Sequence, residues 1–237
     1  MLLCSYAVEP LLDITIKMLV RDISSSSLPW LQSGDTVADA LQLMQDHHCE
    51  QLPIVDSGFY AGLLSEGELL EHPHPEESLH SLLPLLASPS VNGDHHFLQA
   101  LTLMTEQQLS VVPVLGEDRE MIALLTLPAL LQQLARFLGL QEGGALLVLE
   151  RESNQYSFSE ISKLVETNDA QVTQLNTYND PQTGIIQITL RVNKPEISDI
   201  VATFQRYDYK VCFYAGEEQY TNQLRSNYDH LMHYLKI

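Results

Sequence analysis

Histidines are the residues of this chain whose type and spacing could bind a metal ion. Eight of the nine occur in pairs, as His47-His48 beside Cys49, as His72 with His74, as His95-His96, and as His230 with His233. Adjacent residues of a helix point about 100° apart, so His47 and His48 are poorly placed to share one ion. His230 and His233 could share a helix face, but no Cys, Asp or Glu pair accompanies them at the spacing of a zinc site. We therefore predict surface histidines and no metal, with a metal-dependent enzyme as an alternative.

Other catalytic patterns are missing from the sequence. It contains no G-x-S-x-G, no P-loop, no G-x-G-x-x-G and no Cys/His pair in a recognisable context. The sequence therefore predicts a protein that is not an enzyme.

An internal duplication organises the first part of the chain. Residues 34–70 and 93–131 share a Gly-Asp pair, a helical run, an apolar-Pro-apolar strand and a second strand that ends in a hydroxyl. Pro53 matches Pro113 at an offset of 60, and Ser65 matches Thr126 at an offset of 61. Such a unit usually cannot bury its apolar face alone, so we expect the two copies to pack together and to place any binding site in the groove between them.

Each copy reads as β-α-β-β-α. In copy one, Asp35 is the predicted N-cap of a helix over 36–46, strands follow at 51–56 and 59–64, and a second helix begins near Ser65. Copy two repeats this order with strands at 111–115 and 121–125 and a helix from Thr126 to about 138. One further helix is predicted at 78–86, between the copies.

The order of elements changes after the glycines at 143–144. The predicted elements follow the β-α-β-β-α-β order of a ferredoxin-like domain. The strands are at 145–150, 170–178, 184–192 and 210–214, and the helices are at 157–168 and 195–207. Ser157 is the predicted N-cap of the first helix, with Glu160 completing a capping box. A last helix is predicted at about 219–234. The fold class is therefore mixed α/β (α+β).

The composition limits the partners. The chain has 12 basic and 31 acidic residues and a formal net charge of −19, which repels nucleic acid and anionic lipid. Three cysteines without a CxxC spacing indicate free thiols and a cytoplasmic location. Residues 1–17 lack the basic start and long apolar run of a signal peptide or membrane span, and we treat them as an N-terminal extension, with Met18 as an alternative start.

The duplicated part resembles a CBS domain pair, or Bateman module. The resemblance lies in QLPIVD at 51–56, VVPVL at 111–115, GLLSEGELL at 62–70 and ALLTLPALL at 123–131, which match the family's apolar-Pro-Val strand and its G-x-x-[ST]-x-x-D element. The last 90 or so residues resemble an ACT domain in element order. The predicted domains are thus the CBS pair at 18–140, with copies at about 18–75 and 76–140, and an ACT-like domain at 145–237. Together they resemble bacterial proteins of the acetoin-utilisation accessory type.

The resemblance implies regulation by an adenosine-containing ligand, AMP-like, in the cleft between the copies. In the family element the hydroxyl and the final Asp hold the phosphate and the ribose. Copy one supplies Ser65 and Glu68 at these positions, and copy two supplies Thr126 and Ala129. The apolar walls of the implied site are formed by Leu52, Pro53, Val112 and Pro113.

Several observations keep alternatives open. Ser65 and Thr126 could simply cap helices, which is worth about 1 kcal/mol each. Ala129 cannot accept a hydrogen bond from a ribose, and no Lys or Arg occurs between Arg21 and Arg119, which weighs against ATP. The resemblance also implies a homodimer and a regulated protein that the sequence does not identify. The alternative function is a ligand-free homodimeric assembly protein whose nucleotide site has decayed.

Overall fold

The protein is represented by a computed structural model in which residues 18–25 and 28–216 are described. The chain divides into two compact units, with the division between Leu134 and Ala135. The predicted N-terminal extension at 1–17, the predicted last helix at 219–234, and His230 with His233 lie outside the described residues.

The first unit contains both copies of the repeat, and each has the predicted β-α-β-β-α order. A short helix α1 (Val20–Ile23) precedes copy one, which consists of β1 (Leu31–Gln32), α2 (Val37–His47), β2 (Gln51–Asp56), β3 (Phe59–Ser65) and α3 (Glu66–Leu70). Copy two consists of β4 (Val91–Asn92), α4 (Phe97–Glu106), β5 (Val111–Leu115), β6 (Met121–Thr126) and α5 (Leu127–Phe137). Each copy forms a three-stranded sheet in which the short first strand is parallel to the second and the third is antiparallel to it.

Helix α2 forms for the predicted reason but is capped by a different residue. Val37, Ala40 and Met44 make the buried stripe. The N-cap is Thr36, whose side chain accepts from the Asp39 N–H while the Asp39 carboxylate accepts from the Thr36 N–H. Asp35 instead accepts from the N–H of Gln32 at 2.8 Å, which tightens the turn between β1 and the helix.

The helix predicted at 78–86 is two 3-10 turns, Leu79–Ser81 and Leu83–Leu85. Pro84 lies inside this segment and has no N–H to give to a preceding carbonyl, so a continuous α-helix cannot form across it.

The two segments that precede the copies are exchanged in space. The segment at 18–25 packs on copy two, where Val20 donates to the His95 carbonyl at 2.9 Å and Ser25 pairs with Leu124 of β6. The segment at 75–87 packs on copy one: Leu79 is fully buried in its core, and Leu63 of β3 donates to the Ala87 carbonyl at 3.0 Å. Each copy is therefore completed by the segment that precedes the other copy in the sequence.

The copies also share a core and a polar contact. Val55, Tyr60 and Leu63 of copy one lie in the same buried cluster as the strands of copy two. At the start of β2, the Gln51 side-chain oxygen accepts from the Ser110 N–H at 2.8 Å and from its hydroxyl at 3.0 Å. This pair joins the copies in the part of the interface where the sequence predicts a binding site.

The second unit is a four-stranded antiparallel sheet covered by two helices. It comprises β7 (Ala145–Glu152), α6 (Phe158–Glu166), β8 (Val172–Asn179), β9 (Ile185–Val192), α7 (Ser198–Arg206) and β10 (Lys210–Ala215). The strand order is β10-β7-β9-β8, and the predicted ferredoxin-like order is confirmed. Alternate residues such as Leu147 and Ile188 face a core that Ile161 and Phe204 of the helices complete.

Glu160 differs from its predicted role in a capping box. Ser157 does cap α6 by accepting from the Glu160 N–H at 3.4 Å. The Glu160 carboxylate, however, accepts from the Arg151 guanidinium at 3.0 Å and from the Tyr209 hydroxyl at 2.6 Å. Burial, together with the bond to Glu160, raises the pKa of Tyr209 to about 12, so this phenol stays a donor throughout the neutral range.

Gly144 is required where β7 begins. Its φ is +124°, and an added Cβ would lie 2.1 Å from the Val192 carbonyl oxygen. We expect Gly144→Ala to lower the free energy of unfolding of the second unit by at least about 2 kcal/mol, because strain and a backbone clash act together. Urea denaturation followed by far-UV circular dichroism measures the loss.

Gly143→Ala is the matched control for Gly144→Ala. An added Cβ at Gly143 meets nothing within 4 Å, so its effect should stay within about 0.5 kcal/mol. Equal losses in the two variants would contradict the structure of this turn.

The Gln51–Ser110 contact makes a second stability prediction. Gln51→Ala leaves the Ser110 N–H without its acceptor, and we expect a loss of about 1–2 kcal/mol in the first unit. The single tryptophan, Trp30, packs against the shared core, so its fluorescence reports this unit selectively. Gln45→Ala, on the exposed side of α2, is the control and should change stability by less than about 0.5 kcal/mol.

Candidate ligand cavity between the two copies

A cavity of about 550 Å³ lies between the two copies. Copy one contributes the end of α2 and the residues before β2; copy two contributes the start of β5 and the β6–α5 junction. The lining residues are Leu28, His47, His48, Cys49, Glu50, Ser110, Val111, Thr126, Leu127 and Pro128. This volume falls within the range of small-molecule sites.

Thr126 is the sequence-predicted site residue that lines the cavity. Its hydroxyl accepts from the N–H of Ala129 at 3.4 Å. Leu127, the first residue of α5, donates its N–H to the Ser110 carbonyl at 2.9 Å. Pro128 follows and has no N–H. The first three positions of this helix therefore have no N–H left for a phosphate, although a helix N-terminus would otherwise attract one.

Ser65 and Glu68 form a capping box on α3. This is the helix-capping role that the sequence left open for Ser65 as an alternative to ligand binding. The Ser65 hydroxyl donates to the Glu68 carboxylate at 2.7 Å and accepts from the Glu68 N–H at 3.4 Å. The Ser65 N–H donates to the same carboxylate at 3.0 Å. Gly67 occupies the position that Pro128 has in copy two; it keeps its N–H, and the space beside its Cα is open. Copy one can thus offer a donor that copy two has lost.

The predicted apolar walls lie on β2 and β5, next to the strand ends that border the cavity. Leu52 and Val112 are fully buried, each within the core of its own copy. Pro53 and Pro113, the next residues along the strands, are also buried. The strands pair as expected, and direct contact of these four side chains with a ligand stays a prediction.

The cavity has a carboxylate but no lysine or arginine in its lining. Glu50 contributes the carboxylate. Burial raises the pKa of the Cys49 thiol, which keeps it protonated, and the thiol points to the Met44 carbonyl at 3.8 Å. A polyphosphate would meet no lysine or arginine here, which leaves His47 and His48 as the only lining side chains that can carry a positive charge.

The sequence interpretation missed Leu28, Cys49 and Ser110. Ser110 could have been found from the duplication, because it matches Glu50 at an offset of 60, and both residues directly precede the central strand of their copy. Each also gives its carbonyl to the first N–H of a following helix, Glu66 in copy one and Leu127 in copy two.

Within 18–25 and 28–216, no group of three or more His, Cys, Asp or Glu side chains is arranged to hold a metal ion. No helix in that part of the chain is long and apolar enough to cross a membrane.

Solved structures of similar proteins include CBS domain pairs. A CBS domain pair/ACT domain protein from Thermotoga maritima has a TM-score of 0.47 and 22% identity and covers 51% of this chain and 99% of its own. A Vibrio cholerae protein described as a candidate acetoin utilization protein has a TM-score of 0.45 and 20% identity over 52% of this chain and 95% of its own. CBSX2 in complex with AMP has a TM-score of 0.45 and 19% identity over 51% of this chain and 98% of its own. Each of these TM-scores lies below 0.5.

The family comparison gives a match in copy one. Comparison with curated protein sequences gives no significant match. The model of the CBS domain family matches residues 20–74. CBS domains are regulatory modules, often nucleotide-binding. Residues 20–74 of this chain therefore match the CBS domain family, and the second copy repeats their order of helices and strands.

Proposed function

We propose that this protein is a regulatory module that binds an adenosine-type ligand in the cleft between the two copies. The observation that carries the proposal is the cavity of about 550 Å³ bordered by both copies, with Thr126 among its lining residues. A nucleoside is the right size for such a cavity, and Val111 and Leu127 offer apolar contact for a base.

The charge of the lining favours adenosine or AMP over ATP. Glu50 adds a negative charge, no lysine or arginine offsets it, and the N-terminus of α5 has no N–H left at its first three positions. A triphosphate would have to give up its hydration without a lysine or arginine partner, which costs several kcal/mol. Adenosine avoids this cost, and AMP carries a smaller charge than ADP or ATP.

The matching helix starts of the two copies would suit different ligands; Thr126 lines the cavity, whereas Ser65, Gly67 and Glu68 are not among its lining residues. Around Thr126, the missing N–H groups favour an unphosphorylated nucleoside. Around Ser65 and Glu68, the open N–H position at Gly67 and a carboxylate that could accept from ribose hydroxyls favour AMP. Glu68 would have to exchange its bonds with Ser65 for bonds with the ligand.

Regulation follows from a ligand that touches both copies. Residues 47–50 belong to copy one and residues 110–111 and 126–128 to copy two, so the ligand would stabilise one packing of the two copies. Its effect on a regulated protein is limited to the difference between its affinities for the alternative packings.

Thermal unfolding with adenosine, AMP and ATP tests the proposal. A ligand at 100 times its dissociation constant should stabilise the native state by about 2.7 kcal/mol, which is several degrees for a unit of this size. We expect shifts with adenosine and AMP that exceed any shift with ATP. Thr126→Val should reduce the adenosine shift, and Glu68→Ala should reduce the AMP shift.

The matched control is Thr102→Val, which removes an exposed hydroxyl of α4 that bonds to the Leu98 carbonyl outside the cavity. Its ligand shifts should equal those of the wild type. No shift with any of the three ligands would reject the sensor and leave the assembly protein with a decayed site. The saturated N–H groups of α5 and the capping box of Ser65 with Glu68 are the observations that favour that second candidate.

We extend the proposal to the assembly of the chain. The element order of the second unit supports an ACT-like domain at 145–237, and Phe213 and Tyr214 on its edge strand β10 are 51% and 40% exposed. Aromatic residues with this exposure are enriched at protein interfaces. We expect a homodimer, which sedimentation equilibrium of the full chain measures; a monomer at all concentrations would contradict it.

A further inference from the structure

A second cavity of about 550 Å³ lies in the groove between α6 and α7 of the C-terminal unit. Three polar residues of the groove lie four positions apart along one face of α6 and its C-terminal end: Ser159, Lys163 and Thr167. Thr203, Arg206 and Tyr207 face them from the end of α7. The groove is open to solvent, because all of these residues except Thr203 are exposed.

The two cations of this groove have no carboxylate partner. Among the described residues, neither the Lys163 ammonium nor the Arg206 guanidinium lies within 4.0 Å of a carboxylate oxygen. Arg151 and Lys210 of the same unit do have such partners, Glu160 and Glu150. Lys163 and Arg206 are therefore two cations without a carboxylate partner that line the same cavity.

Arg206 is held in place by a buried hydroxyl. Thr203 is only 6% exposed, and its Oγ1 accepts from Arg206 Nη2 at 3.2 Å. The Asn168 amide also donates to Thr203 Oγ1, at 3.3 Å, and bonds to the Leu164 carbonyl at 2.8 Å. This chain of contacts links the guanidinium to the backbone of α6, so Arg206 is oriented without a counter-charge.

The one carboxylate that lines the groove is already engaged. Glu160 Oε2 accepts from the Arg151 guanidinium at 3.0 Å and from the Tyr209 hydroxyl at 2.6 Å. Its charge is therefore paired with Arg151, and Lys163 and Arg206 remain as the two lining cations that could pair with a bound anion.

We propose that this groove binds a small metabolite through a phosphate or carboxylate group. Arg206 and Lys163 supply the charge, and the hydroxyls of Ser159 and Thr167 supply neutral donors of the kind that oxyanions accept from. The cavity is large enough for a small metabolite rather than for a single ion. The site lies wholly within the C-terminal unit and does not depend on nucleotide binding between the copies.

Isothermal titration of the full chain with sodium phosphate and with sodium succinate, at constant ionic strength, tests this site. Saturable binding of either probe is the expected result, and the probe that binds identifies the group. Lys163→Gln and Arg206→Gln should each weaken binding about tenfold or more, because each removes a charge-assisted hydrogen bond.

Lys210→Gln is the control, because it removes the same charge from a residue that pairs with Glu150 and does not line the groove. It should leave the affinity for the probe within about twofold of the wild type. The proposal is overturned if neither probe binds saturably. It is also overturned if Lys210→Gln weakens binding as much as the groove variants, since that result shows general attraction to positive charge.

Discussion

The exchange of the segments at 18–25 and 75–87 is the constraint on which the first unit depends. Leu79 fills the core of copy one and Val20 that of copy two, and both side chains are fully buried. Neither segment could leave without opening a cavity, which costs about 2–5 kcal/mol for a side chain of this kind. The cleft where the copies meet is therefore held in place by the two cores.

The duplication made most of this unit predictable. Apolar positions at helical and strand spacing placed α2, β2, β3 and their counterparts within a residue or two, since burial of one face decides both kinds of element. The predictions were wrong where a local hydrogen bond or a proline mattered more than the spacing of apolar residues. Asp35 and Thr36 are both good N-cap residues, and the structure selects Thr36 because Asp39 completes a capping box with it. Pro84 breaks the helix predicted at 78–86.

The candidate site was less predictable because its properties depend on long-range contacts. The sequence shows Thr126, but not that Ser110 takes up the first N–H of α5 or that Pro128 and Ala129 leave none for a phosphate. Likewise, Glu160 matched the pattern of a capping box, yet Arg151 and Tyr209 engage its carboxylate through the tertiary fold. Residue type and spacing suggested the chemistry, and the partners that the fold brings together determined which part of it is available.

The exchanged segments also bear on how such a chain could arise. A protein with a single copy would carry its own leading segment but would have no second copy on which that segment could pack. Two identical chains could complete each other by trading these segments, which is domain swapping between protomers. Duplication and fusion would then convert contacts between chains into contacts within one chain. The two halves would become free to diverge, as Gly67 and Pro128 now do at matching positions of the two copies.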